Sequence, residues 1–273
     1  MTTNIQGVVV NSAIQDPMEM SDPLLIAIRD YWNDHIHDLE ITTEPIGSRG
    51  FFDQLDEYRF DKLRYLPELV DFNGFKGRKL LEIGCGLGID LARFAQGEAD
   101  VIGIDLAEVA IDLAKENFSQ LGQEADLLVM NGEALEFTDE SFDVVYAHGV
   151  VQYTAHAEQM ISEIARVLKP AGEAIIMVYN RNSWLNVMSK LMKVELEHED
   201  APVLNMYSAG EFRKLLAPFS KVSLITERFP VETKLHKGFK AEIYNKGFVK
   251  IFSLLPKFTI RSLGWHLMAF AAK

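Results

Sequence analysis

The sequence has little cysteine and little positive charge. A single cysteine among 273 residues cannot form an internal disulfide, so nothing in the sequence requires an oxidising compartment. Lys and Arg number 27 against 40 Asp and Glu, which gives a formal net charge of −13. Proteins that bind nucleic acid need cations that replace the counterions of the phosphates. The charge therefore argues against a nucleic-acid partner.

Long apolar runs are also absent. No stretch approaches the roughly 20 apolar residues of a membrane-spanning helix, and the first residues lack the basic and apolar regions of a secretory signal. Hydrophobic residues make up 48% of the chain and charged residues 25%, which is an ordinary globular composition. We therefore expect a cytoplasmic protein whose length allows one large core.

The first third of the chain precedes any strong strand pattern. Residues 1–20 lack periodicity and are predicted to be a tail. Residues 21–76 are predicted to form an N-terminal helical lid, with one helix over 21–39 and a second over 51–70. In both, apolar residues recur at helical spacing.

From Lys79 onward, short apolar strands alternate with amphipathic helices. This order predicts an α/β fold with a doubly wound, mostly parallel sheet. The strands show no in/out alternation, which favours burial on both faces. We expect this core over 77–233, an insertion over 234–262, and the last strand of the core within 263–273.

The sharpest local feature is a glycine-rich turn after the first core strand. The strand presents Glu82, and Gly84, Gly86 and Gly88 follow at alternate positions. Glycine lets the backbone turn tightly and approach a ligand closely. Asp105 ends the next strand, where a carboxylate can accept hydrogen bonds from both vicinal hydroxyls of a ribose. The pattern predicts a site for a nucleotide-like ligand.

A dinucleotide-binding fold is the main competing interpretation of this turn. That fold has the spacing G-x-G-x-x-G, whereas this chain has G-x-G-x-G, with Ile89 following Gly88. The turn also lacks the Gly-Lys-Ser/Thr of a phosphate-binding P-loop.

Five segments carry a family resemblance in their order along the chain: LLEIGCGLG, VIGIDLA, NGEALEF, SFDVVYAHGVVQYT and EIARVLKPAGEAIIM. They resemble the successive motifs of class I S-adenosylmethionine-dependent methyltransferases, in the group that includes ubiquinone- and menaquinone-biosynthesis enzymes. The resemblance covers about 79–180. It implies a seven-stranded Rossmann-like sheet whose last strand is antiparallel, S-adenosyl-L-methionine as the cofactor, and no metal.

The resemblance also implies roles for individual residues. Asp105 would bind the ribose hydroxyls and Leu106 would contact the adenine. Asn131 stands where the family usually has an aspartate, and its amide oxygen can still accept from the adenine amino group. The implied cofactor-binding residues of the core are Glu82, Gly84, Cys85, Gly86, Gly88, Asp105, Leu106, Asn131, Gly132, Glu133 and His148. We interpret Cys85 as a small side chain that packs in the core and takes no part in catalysis.

Methyl transfer is an in-line displacement in which the protein mainly aligns the reactants and excludes water. A base is needed only if the acceptor arrives protonated. His148, at the end of the fourth strand, is the candidate base, and Tyr153 is a candidate orienting residue. The alternative is that only the backbone of Ala147 or His148 holds the cofactor. Relatives often carry a histidine pair where this chain has Gln152 and Tyr153, so roles of that pair do not carry over.

Two residues of the predicted lid are further candidates. Tyr58 and Arg59 are placed to reach the cofactor carboxylate, since a guanidinium pairs well with carboxylates. A surface ion pair is the alternative.

The segment 234–261 carries seven cations and one acid, a formal charge of +6. Apolar and aromatic residues recur within it at helical spacing: Tyr244, Phe248, Ile251, Phe252 and Leu255. A basic amphipathic helix of this kind can pack on the sheet, cap the active site, or make weak contact with an anionic membrane surface.

The sequence thus predicts an S-adenosylmethionine-dependent methyltransferase that acts on a small, hydrophobic or anionic acceptor. The alternatives are a methyltransferase acting on a macromolecule such as RNA or protein, and a cofactor-bound protein of this fold that transfers no methyl group.

Overall fold

The computed structural model describes residues 2–5, 8–11, 22–36, 39–193, 196–230, 242–256 and 260–273. Strands β1 (Thr2–Ile5) and β2 (Val8–Asn11) form an antiparallel hairpin. The other strands form one sheet: β3 (Lys79–Ile83), β4 (Asp100–Asp105), β5 (Asp126–Val129), β6 (Phe142–His148), β7 (Leu168–Tyr179), β8 (Lys221–Glu227) and β9 (His266–Ala272). The helices are α1 (Pro23–Asp34), α2 (Arg49–Lys62), α3 (Leu66–Leu69), α4 (Ile89–Gln96), α5 (Glu108–Leu121), α6 (Ala157–Val167), α7 (Trp184–Met192), α8 (Ala209–Leu215) and α9 (Lys250–Ser253).

The sheet has the strand order β5-β4-β3-β6-β7-β9-β8. The pairings from β5 to β7 are parallel, and β9 runs antiparallel to both of its neighbours. This topology confirms the predicted doubly wound, mostly parallel, seven-stranded sheet with an antiparallel last strand. Of the helices that the structure describes, none is long and apolar enough to cross a membrane.

Helices cover both faces of the sheet, which explains why the strands lack in/out alternation. On one face, Ile161 and Ile164 of α6 are fully buried in the cluster that includes Val145. On the other, Leu91 and Phe94 of α4 are fully buried in a second cluster. Burying each such side chain contributes roughly 1.5–3 kcal/mol. The two clusters hold the strand ends, and therefore the loops that follow them, in a fixed relation.

The N-terminal helices are shorter than predicted. Helix α1 begins after Asp22, whose carboxylate accepts the Leu24 N–H at 2.9 Å, and it ends at Asp34 rather than near residue 39. The second predicted helix is two helices, because Leu63 leaves helical geometry and Pro67 starts a new turn. The role of these helices as a lid stays a prediction.

The hairpin β1–β2 lies within residues 1–20, where the sequence predicts only a tail. Of the predicted insertion over 234–262, residues 234–241 and 257–259 lie outside the described residues, and with them Lys234, Lys237, Lys240 and Lys257. The described part is a π-helix, Ile243–Val249, followed by α9. Phe252 is buried, and its ring centroid lies 6.4 Å from that of Trp184 and 6.3 Å from that of Phe229. This contact favours packing against the protein, while capping of the site and membrane contact stay predictions.

Candidate active site

A cavity of about 260 Å³ lies along the carboxyl ends of β3, β4, β6 and β7 and extends beneath α1 and α2. The structure brings most of the predicted site residues together in its lining. They are Arg59, Glu82, Gly84, Cys85, Gly86, Asp105, Leu106, Asn131, Gly132, Glu133, His148 and Tyr153. Gly88 and Tyr58 are not part of the lining.

The three glycines of the turn all have positive φ, but they face different surroundings. A Cβ on Gly84 would lie 2.1 Å from Cγ2 of Val150, and one on Gly88 would lie 3.0 Å from the ring of Phe118. These two positions are therefore required by packing. A Cβ on Gly86 would have nothing within 4 Å and would point into open space beside the cavity. Only Gly86 leaves room that a ligand can use.

Asp105 organises this turn. Its Oδ2 accepts the N–H of Gly86 at 2.9 Å, and its Oδ1 accepts the N–H of Ala107 at 3.0 Å. The carboxylate thus ties the glycine-rich turn to the end of β4. Each carboxylate oxygen can accept more than one hydrogen bond, so the predicted ribose contact is compatible with these bonds.

Glu82 is a buried acid whose Oε2 has no hydrogen-bond partner among the described residues. Burial raises the pKa of Glu82 well above its usual range, and the nearby carboxylates of Asp90 and Asp105 raise it further. A buried polar atom without a partner is costly. Because Glu82 lines the cavity, its Oε2 is placed to accept a hydrogen bond from a ligand.

The loop after β5 is closed by its own side chains. Oδ1 of Asn131, expected to face the adenine, accepts the N–H of Glu133 at 2.9 Å and keeps one acceptor direction. A Cβ on Gly132 would lie 2.7 Å from Ile83, so this position needs glycine for packing. Glu133 is buried, and its carboxylate pairs with the backbone N–H (3.0 Å) and Nδ1 (2.9 Å) of His156. Its charge therefore anchors the start of α6.

Arg59 forms a two-pronged ion pair within the protein. Its Nε and Nη2 donate to Oδ1 and Oδ2 of Asp90, both at 2.5 Å, and Tyr146 donates to the same carboxylate at 2.8 Å. Burial alone would raise the pKa of Asp90, but the guanidinium outweighs it and lowers the pKa below its usual range. The predicted carboxylate partner of Arg59 was that of the cofactor, and the structure provides an internal one.

His148 is held between two neighbours. Its Nδ1 lies 3.3 Å from Nη2 of Arg59, and its Nε2 lies 3.3 Å from the hydroxyl of Tyr65. A guanidinium only donates, so Nδ1 accepts and Nε2 carries the hydrogen. Burial, reinforced by Arg59, lowers the pKa of His148 to about 3. The imidazole is therefore neutral near pH 7, and both of its nitrogens are engaged.

Tyr153 belongs to an aromatic wall of the cavity. It is buried, its hydroxyl donates to that of Tyr179 at 3.4 Å, and its ring lies 5.0 Å from that of Trp32 of α1 in an edge-on arrangement. Burial and the neighbouring Tyr179 raise the pKa of Tyr153, so its phenol stays protonated.

Cys85 is buried, and burial followed by the charges of Asp105 and Glu82 raises the pKa of its thiol. A thiol held in this form is a poor nucleophile. The structure thus gives Cys85 a packing environment, although the residue also contributes to the cavity lining.

Several residues of the site were missed from the sequence: Trp32, Tyr65, Asp90, Tyr179, Arg228 and His266. Asp90 and His266 carried a signal, since an acid stands directly after the glycine-rich turn and a histidine stands in an otherwise apolar last strand. The others come together only through the fold.

The residues present fit S-adenosylmethionine. The unpartnered Oε2 of Glu82 offers an acceptor for an ammonium, the open space at Gly86 admits a ligand close to the backbone, and Asp105 offers carboxylate oxygens at the end of β4. These three features lie on one cavity and match the amino acid and nucleoside parts of that molecule.

Comparisons with known proteins agree with this geometry. A family model described as "Methyltransferase domain" matches residues 81–176. A ubiquinone biosynthesis O-methyltransferase of Bartonella tribocorum is 32% identical over 154 residues, which covers 53% of this chain and 62% of that protein. The chain thus spans less than two thirds of the length of this curated relative.

Two solved structures share the fold across most of the chain. Magnesium protoporphyrin IX methyltransferase from Synechocystis PCC 6803 with bound SAH has a TM-score of 0.58 and 16% identity, covering 91% of this chain and 99% of that one. Geranyl diphosphate C-methyltransferase from Streptomyces coelicolor A3(2) has a TM-score of 0.57 and 15% identity, covering 92% and 98%. These two structures show that the fold is shared, and residues 81–176 match the model of a methyltransferase domain.

Proposed function

We propose that this protein transfers the methyl group of S-adenosylmethionine to a small, hydrophobic or anionic molecule. The observation that carries the proposal is one continuous cavity with two different halves. One half contains the glycine-rich turn and Asp105, and the other is walled by apolar and aromatic side chains, among them Trp32, Met177 and Tyr179. An acceptor in the second half would lie against a cofactor in the first.

S-adenosylmethionine, when bound, supplies an electrophilic methyl group. In this proposal Gly86 admits the cofactor to the backbone, Asp105 binds its ribose, and Oε2 of Glu82 accepts from its amino group. Trp32 and Tyr153 exclude water and restrict the acceptor to an aligned position, which is the main way a protein accelerates such a displacement.

A general-base role for His148 stays part of the proposal for acceptors that arrive protonated. The low pKa keeps the imidazole neutral near pH 7, so that a nitrogen lone pair is present, but it also makes His148 a weak base. To accept a proton, the imidazole must give up the contact of Nδ1 with Arg59, because Nε2 already carries a hydrogen. We therefore expect His148 to matter for protonated acceptors and little for anionic ones.

A small acceptor is supported by the cover over the cavity. Helix α1 provides lining residues, and the hydroxyl of its Tyr31 donates to Asp200 at 2.8 Å. This bond ties the helix to the turn at 197–200. A macromolecular acceptor would need this cover to open widely.

The test is a panel of phenols, carboxylic acids, thiols and amines incubated with S-adenosylmethionine, with release of S-adenosylhomocysteine as the readout. The expected result is turnover of at least one class and none with tRNA or denatured protein. Tight binding of S-adenosylhomocysteine without turnover of any acceptor would favour the non-methylating alternative, and turnover only on a macromolecule would overturn the proposal.

A further inference from the structure

Three cations line the cavity, and they differ in how their charges are balanced. Arg59 is paired with Asp90, and Lys62 lies 3.3 Å from a carboxylate oxygen of Glu197. The third is Arg228, which follows β8. Within the part of the chain that the structure describes, no carboxylate lies within ion-pair distance of its guanidinium. A half-buried cation that has no carboxylate partner among the described residues is suited to bind an anion.

Arg228 is also held firmly in place. Its carbonyl oxygen accepts the backbone N–H of Trp265 at 3.3 Å and the Nε1–H of Trp184 at 3.0 Å. Its φ is +57°, in the left-handed region that a residue with a Cβ rarely adopts. The two bonds fix the backbone of Arg228 in a conformation that carries a cost, as is common where a residue contacts a ligand.

The side chain has donors to spare. Its Nη1 lies 3.2 Å from Nε2 of His266, which accepts because a guanidinium only donates. The guanidinium has five N–H groups in a planar fork that matches a carboxylate in a two-pronged arrangement. No other described side chain accepts from this guanidinium, so a two-pronged contact with a ligand remains open.

The strand order places Arg228 and His266 beside the apolar part of the cavity. His266 begins β9, which is two strands from β6 and His148 in the sheet order. The side chains at these two strand ends lie close together, with the ring centroids of His148 and His266 5.6 Å apart. Met177 and Tyr179 of β7 form the apolar floor between them.

We infer that the acceptor carries a carboxylate, which Arg228 binds at one end of the cavity, while an apolar body lies over Met177 and Tyr179 toward the cofactor half. This inference rests on the proposed function and narrows its acceptor to amphiphilic acids. Arg228 acts as the residue that selects the acid over its neutral counterpart.

The test uses the full chain saturated with S-adenosylhomocysteine and two matched pairs of probes: phenylacetate against phenylacetamide, and octanoate against octanamide. Ligand-observed NMR titration gives each dissociation constant. We expect each acid to bind the wild type at least about 10-fold tighter than its amide, since hydrogen bonds to a charged group are each worth roughly one to two factors of ten. Arg228→Gln should bring this ratio close to one, and Arg228→Lys should keep part of it.

Arg213→Gln is the matched control, because Arg213 is an exposed arginine on α8 outside the cavity lining. It should behave as the wild type. Equal binding of acid and amide by the wild type, no detectable binding of either acid, or an unchanged ratio in Arg228→Gln would each overturn the inference.

A separate calorimetric titration with S-adenosylhomocysteine distinguishes failure of the proposed function from failure of the role of Arg228. All variants should bind it as the wild type does, which also shows that they are folded. Failure of the wild type to bind it would overturn the proposed function, whereas normal binding together with a lost acid preference would overturn only the role of Arg228.

Discussion

Asp90 at the start of α4 receives both prongs of the Arg59 guanidinium from α2, and this ion pair fastens the N-terminal helices to the glycine-rich turn. The side chain of Asp90 is only 1% exposed, and that of Arg59 is 28% exposed. Replacing only one residue of such a pair is strongly destabilising, because the other charge remains buried and has neither its partner nor water to stabilise it.

We therefore expect Asp90→Ala to lower the free energy of unfolding by about 3–5 kcal/mol. The double variant Arg59→Met with Asp90→Leu should recover most of this loss, because it removes both charges. Urea unfolding measures both. Asp112→Ala, which removes an exposed acid 3.5 Å from Lys115, is the control and should cost at most about 1 kcal/mol. Equal losses in Asp90→Ala and the control would contradict the buried pair.

Asp105→Ala is expected to weaken binding of S-adenosylmethionine strongly, since each hydrogen bond to the charged carboxylate is worth about 1.5–3 kcal/mol. Part of the loss will come through the turn, because Asp105 also holds the N–H of Gly86. Calorimetry on the folded variant measures the affinity. Asp100→Asn, at the other end of β4, should leave it unchanged. A folded Asp105→Ala protein with normal affinity would remove this residue from the cofactor site.

The glycines of the turn should separate stability from binding. Gly84→Ala places a Cβ 2.1 Å from Val150, so it should lower the melting temperature sharply. Gly86→Ala meets open space and should cost only about 1–2 kcal/mol for its left-handed backbone. Gly86→Val should bind S-adenosylmethionine much more weakly than Gly86→Ala. The assignment of Gly86 to the cofactor fails if the two bind equally.

The lowered pKa of His148 predicts that the free energy of unfolding depends on pH. Its pKa is about 3 in the folded protein and near 6.5 in an unfolded chain. Between these values the unfolded state binds the extra proton. The free energy of unfolding therefore rises with pH by roughly 1.4 kcal/mol per unit through this window, and the contribution is complete above pH 6.5.

His148→Gln should accordingly flatten the rise in stability from pH 4.5 to 6.5, as measured by urea unfolding at several pH values. His266 also has a lowered pKa, caused by burial and by Arg228, so some slope will remain. His35→Gln, at an exposed histidine, should keep the wild-type slope. An unchanged slope in His148→Gln would show that the imidazole titrates normally in the folded protein.

Phe252 tests the role of the insertion. Phe252→Ala removes a buried ring packed against Trp184 and Phe229 and should cost about 3–5 kcal/mol. Leu254→Ala is the control, because Leu254 is 78% exposed.

Flotation with anionic liposomes measures the predicted membrane contact, which Leu254→Asp should abolish. Flotation of the wild type that resists this change would place the contact elsewhere.

The sequence by itself determined the sheet and the turn of the cofactor half. Glycines at alternate positions, an acid at the end of the next strand and runs of apolar residues are local patterns, and they predicted β3, β4 and a ligand site that includes the turn and Asp105. The boundaries of α1 and α2 were less predictable, because helix ends depend on single contacts such as the break at Leu63.

Only the tertiary structure decided what surrounds each charge. Arg59 stands on a helix where any acid within reach would be a plausible partner, and packing selected Asp90. His148 became a neutral, fully engaged imidazole because burial and a neighbouring guanidinium act on it across more than eighty residues of sequence. His266 and Arg228 lie in the last third of the chain, and they meet the site because β9 inserts antiparallel between β7 and β8. Desolvation and pairing are properties of the folded environment, so no local pattern in the sequence could reveal them.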